Sequence, residues 1–147
     1  MFPWRLTWLA CFGCVAAIAA TSARAAQPTL TATEYRQQAS AICNDFNAFR
    51  FPEQGTLADR LAALLDKGRT TLTALRRLRP PSSLARLHAQ IMVTDARRIE
   101  MLGSLTAQLK AGRLTISQLA ARVARSPLAG EANALWKQVG VFACVQY

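Results

Sequence analysis

The sequence predicts an all-α fold, an antiparallel up-down-up-down four-helix bundle, on three observations. Apolar residues recur at three- and four-residue steps over most of the chain from residue 31 onward, and no stretch alternates at period two as a half-buried strand would. Helix-start patterns recur at Thr31-Ala32-Thr33-Glu34, at Thr56 to Asp59 and at Thr115-Ile116-Ser117-Gln118. In each, a threonine hydroxyl takes a free backbone amide and the side chain three positions on returns the bond. Short breaks containing proline or glycine separate the patterns, so neighbouring helices should run in alternate directions.

Residues 1–25 read as an address and residues 26–147 as the bundle domain. Arg5 supplies a positive start, Leu6 to Ala20 is uncharged and mostly apolar, and Ser22-Ala23-Arg24-Ala25 has the small residues of a signal-peptide cleavage site. Two other fates stay open on the same residues. Leu6 to Ala23 is close to the roughly 18 residues that span a bilayer, and Phe12-Gly13-Cys14 has the small residue before cysteine that lipidation needs, although Cys11 stands where an aliphatic residue is usual. Membrane association is expected only if this segment is retained or Cys14 is lipidated. The expected location is outside the cytoplasm: periplasmic, in the cell envelope, or secreted.

Removal of that segment leaves Cys43 and Cys144, near the two ends of the remaining chain. An exported protein matures where disulfides persist, so the two are expected to pair. The C-x-x-C spacing of Cys11 and Cys14 lies inside the apolar stretch, where no folded redox or metal site can form around it.

The first helix opens at Thr31 and carries Tyr35, Ala39, Ile42, Cys43, Phe46 and Phe49 on one face. Arg50 to Gly55, with Pro52, is a loop. The second helix opens at Thr56, with Asp59 at the positive end of its dipole, and its expected buried face is Leu57, Leu61, Leu64, Leu65, Leu72, Leu75 and Leu78. Gly68 interrupts that face at a cost of about 1 kcal/mol against alanine, which suggests close contact with a neighbouring helix. Arg76, Arg77 and Arg79 crowd the last turn, where the dipole prefers positive charge, and Pro80-Pro81 stops the helix.

Ser82 or Ser83 is expected to cap the third helix, whose stripe is Leu84, Leu87, Ile91, Ile99, Leu102, Leu105 and Leu109 and whose stop is Gly112. Asp95 falls near the stripe with Arg98 and Glu100 close by; a solvated edge is expected, with a partly buried ion pair as the alternative. The fourth helix carries Leu119, Val123, Leu128, Ala132, Leu135, Val139 and Phe142, and is kinked or broken at Ser126-Pro127. Gly140 weakens its final turn. The last helix should return beside the first, bringing Cys144 to the level of Cys43, about 15 Å along its helix at 1.5 Å per residue. The corner from Leu75 to Leu87 is expected at the end of the bundle opposite the chain termini.

Three short patterns carry a resemblance: Tyr-x6-Ile-Cys from Tyr35 to Cys43, Leu-x-x-Leu-x-Pro-Pro from Leu75 to Pro81, and Gly-x-x-x-Cys from Gly140 to Cys144. In these the chain resembles small exported bacterial helical-bundle proteins and lipoproteins of uncharacterised function. The resemblance implies a helical fold and a disulfide, and no activity.

Composition narrows the function. The chain is 52% hydrophobic, enough for a core without a metal, and carries 18 basic against eight acidic residues, a net charge of +10. Losing Arg5 and Arg24 with the leader leaves a net +8. No Gly-x-Ser-x-Gly, glycine-rich phosphate loop or His-Glu-x-x-His occurs, and the residue three before the only histidine, His88, is Ala85 rather than the glutamate of a di-metal bundle. No catalytic residue, metal ligand or cofactor is assigned. Arg69, Arg76, Arg77, Arg79 and Arg86 form a candidate surface for an anionic envelope polymer, lipid or protein partner. Nucleic acid is disfavoured by export and by the lack of aromatic residues among these arginines. The expected function is therefore a non-enzymatic envelope or secreted protein. The alternative is a small-ligand or haem carrier using the bundle interior, with His88 and Met92 at an i, i+4 spacing.

Overall fold

A computed structural model describes residues 28–145. The expected signal segment, with Cys11, Cys14 and Ala25, lies outside the described residues. Five α-helices follow in order: α1 (Ala32–Asn47), α2 (Leu57–Arg77), α3 (Ser82–Lys110), α4 (Ile116–Arg125) and α5 (Leu128–Val139), then a 3-10 turn, η1 (Phe142–Cys144). The described chain is all-helical.

Three helix starts are built by reciprocal caps. Thr31 Oγ1 accepts from the Glu34 amide at 3.2 Å while a Glu34 carboxylate oxygen accepts from the Thr31 amide at 2.8 Å. Thr56 with Asp59 and Thr115 with Gln118 repeat the arrangement. These bonds to threonine hold the Glu34 and Asp59 carboxyls below their ordinary range. The start of α3 differs from expectation. Pro81, extended at ψ 158°, is its N-cap without a side-chain bond, and Ser82 and Ser83 lie inside the first turn. The fixed φ of proline already sets the entry angle, and the Pro81 carbonyl takes the Leu84 amide at 2.9 Å.

At Ser126-Pro127 the helix is broken rather than kinked. Ser126 is extended and ends α4, Pro127 opens α5, and Ser126 Oγ accepts from the Leu128 amide at 3.4 Å. The end of α5 also departs from the expected return. Gly140 adopts φ 82°, left-handed backbone that glycine enters without a Cβ penalty, and the Val141 amide bonds back to the Trp136 carbonyl. The chain thus reverses. As a result α5 packs on α3, and it is η1 that lies against α1.

Tyr35, Ile91, Val139 and Val141 are the largest fully buried side chains. Leu57 and Phe142, expected inside, are 40% and 67% exposed. Leu57 sits at the first position of α2, at the bundle's edge, and Phe142 lies past the Gly140 reversal, out of register with the α5 stripe. Ion pairs tie Asp45 to Lys67 between α1 and α2, and Asp59 to Lys110 between α2 and α3.

The basic corner is not opposite the beginning of the described chain. The Leu30 amide donates to the Arg79 carbonyl at 2.9 Å, placing the connection between α2 and α3 beside the start of α1.

Cys43 and Cys144 are joined, 101 residues apart in sequence with their Cα atoms 5.1 Å apart. Arg36 Nε donates to the Val139 carbonyl at 2.7 Å and Asn47 Nδ2 to the Ala143 carbonyl at 2.8 Å, so side chains of α1 hold the chain before and beside the bridge. By the chain-entropy argument, closing a loop of about 100 residues is worth up to about 4.7 kcal/mol. Replacing both cysteines by alanine should lower the unfolding free energy by an amount approaching this value and the urea midpoint with it, with a larger denaturant slope from a more expanded unfolded chain. An unchanged midpoint would show that the bridge does not hold the fold.

Candidate ligand cavity and basic corner

The side chains of α1, α2 and α3 do not fill the space between them. A partly open cavity of about 160 Å³ remains, walled by Phe46 of α1, Leu61, Leu64, Leu65 and Leu72 of α2, and Ile99 and Leu102 of α3. Leu119, Trp136 and Ala143 close it from the later elements, together with the half-cystines Cys43 and Cys144. An apolar cavity on the order of 150 Å³ holds a molecule the size of benzene.

Two residues set its character. Gly68 was expected to mark a close helix contact, yet a Cβ placed there would meet Ile99 Cδ1 at 3.8 Å and Phe46 Cε2 at 3.9 Å, ordinary van der Waals separations. A Cβ fits there in contact with α1 and α3, without overlap. Asp95 was expected at a solvated edge; instead its side chain lines the cavity, because α5 packs across α3 and covers it. Trp136, 2% exposed, donates from Nε1 to Asp95 Oδ2 at 3.2 Å. Burial raises the Asp95 carboxyl above its ordinary range, against the Trp136 hydrogen bond and the nearby Arg98 charge, which favour ionisation. Glu100 is exposed and does not line the cavity. Trp136 escaped the sequence reading, although Ala132, Trp136 and Val139 stand at helical spacing on one face.

His88 and Met92 do not face this space. Met92 is buried in the core, and the Tyr35 hydroxyl lies 2.8 Å from His88 Nδ1, the two rings edge to face. Burial lowers the His88 pKa and pushes the Tyr35 phenol up to about 12; the hydroxyl donates where Nδ1 is bare and accepts where Nδ1 carries the hydrogen. Among the described residues no three His, Cys, Asp or Glu side chains gather as a metal site.

The candidate arginines divide. Arg76 and Arg77 in the last turn of α2, Arg79 in the connection and Arg86 near the start of α3 are all exposed at the corner. No acidic residue occurs between Thr70 and Thr94. Arg69 lies about two turns back along α2, bonded to Asp66 at 2.8 Å, with its guanidinium beside Gly103 of α3. It belongs to the side of the bundle rather than to the corner. No protein-family model, curated protein or solved structure matches the chain.

Asp95→Asn removes the charge and retains an acceptor for Trp136, so it should raise Tm by a few degrees at pH 7. The sign follows from the raised carboxyl. Between the unfolded and folded pKa values the native state binds the extra proton, so wild-type stability grows as pH falls through that window. The advantage of the variant should therefore shrink on acidification and be gone near pH 3, as thermal melts across pH would show. Gly68→Ala should also stabilise, by about 1 kcal/mol from helix propensity, since its Cβ has room; urea denaturation reads this directly.

Proposed function

We propose that this chain is an exported, non-enzymatic helical-bundle protein that carries a small apolar ligand in its interior. The observation behind this reading is the cavity at the disulfide-stapled centre, apolar on most of its wall and holding one carboxylate. Binding pockets commonly combine an apolar lining with a few placed polar groups. The volume here suits a ligand of about one ring. In this reading the helices form an up-down-up-down bundle whose fourth member is the broken pair α4 and α5. The patterns shared with small exported bacterial bundle proteins accord with it, since Tyr35, Leu75 and the bridged cysteines are core and Gly140 is the reversal.

A second reading has its own observation. The exposed Arg76, Arg77, Arg79 and Arg86 stand where the chain enters the bundle, beside Leu30. An anionic envelope surface or acidic protein partner would meet the bundle at that end.

Titration calorimetry of the purified protein with toluene should show saturable binding, and Gly68→Leu, which fills the cavity, should abolish it while leaving the helical circular dichroism unchanged. Toluene binding that is absent, or insensitive to Gly68→Leu, would rule out the carrier reading. Retention on vesicles containing anionic lipid should fall with added salt and on changing the four corner arginines to glutamine, as screened surface charge requires. Retention indifferent to both would rule out the second reading.

A further inference from the structure

The geometry points to a compact ring or branched aliphatic bearing one protonated amine as the ligand of the cavity, its ammonium on Asp95 and its apolar body among Phe46, Leu64, Leu72 and Ile99. This rests on the carrier reading and adds the charge and size of the cargo. A carboxylate walled by leucine, isoleucine and phenylalanine side chains is costly unless something compensates its charge, and the Trp136 indole is a single neutral donor. An ammonium supplies a charge-assisted hydrogen bond of the stronger class and cancels the charge. Trp136 adds an aromatic ring beside the carboxylate, a further source of attraction for a cation. Burial outweighs both the Trp136 bond and the Arg98 charge at this carboxyl, so its charge is only partly compensated. Arg98 also lines the cavity, about one turn along α3 from Asp95, and its charge favours the ionised carboxyl. A ligand read by Arg98 would be an acid, which makes the two assignments separable. The volume matches a single ring, so the cargo class is that of benzylamine-sized molecules.

The test compares benzylamine, toluene and benzoate by titration calorimetry at pH 7.5, on the purified wild-type protein and on Asp95→Asn. Benzylamine should bind at least tenfold more tightly than toluene to the wild type, and on Asp95→Asn the two should bind equally. Thermal melts of the variant check that it is folded. Equal affinity for benzylamine and toluene, a preference for benzoate, or an amine preference that survives Asp95→Asn would overturn the amine assignment and leave the carrier reading standing. Failure of all three compounds to bind the wild type would overturn both.

Discussion

The bridge between Cys43 and Cys144 is the constraint on which the described fold depends. Gly140 turns the chain out of α5, and without an attachment Val141 to Val145 would be a short tail with little helix of its own. Bonded to α1, the same residues become wall. Val141, Cys144 and Val145 are buried, Asn47 and Arg36 take up nearby carbonyls, and Ala143 and Cys144 close one side of the interior cavity. The bridge also spans nearly the whole described chain, so it restricts the unfolded state while it completes the folded one.

The interior it closes does not follow the usual rules for stability. A glycine occupies the second helix where a Cβ would fit, and a carboxylate sits on the third helix where an apolar side chain would pack. Each departure lowers stability, and both fall on one cavity. Local choices that conflict with packing tend to gather where a protein binds or reacts. That coincidence favours the interior as the working site over an accident of loose packing.

Much of the fold was legible because it is written in short-range chemistry. The threonine caps at Thr31, Thr56 and Thr115, the stop at Pro80-Pro81 and the cysteine pair are local signals or follow from counting. What was not legible depends on how elements meet. Asp95 looks like an edge residue on the α3 stripe, and only the packing of α5 shows that it is covered. Gly68 reads as a close helix contact, and only the 3.8 Å from its Cβ position to Ile99 Cδ1 shows that a side chain fits there. The reversal at Gly140 hides in a residue that a helical pattern merely tolerates, so Phe142 was assigned to a face it never joins. The end to which the corner belongs is recorded by the Leu30 bond to Arg79. This places the exposed arginines beside the chain's entry, where a surface-binding role and an interior-binding role can coexist on one molecule.

The central claim is that the interior cavity admits a small molecule. An amide-resolved nuclear magnetic resonance titration with benzene tests it without presuming the ligand's charge. Shifts should concentrate at Gly68, Thr71, Ile99, Cys144 and the indole N–H of Trp136, the only tryptophan in residues 28–145. Shifts that are absent at saturation, or scattered over exposed positions such as Val93, Ile116 and Phe142 and sparing these five, would contradict it.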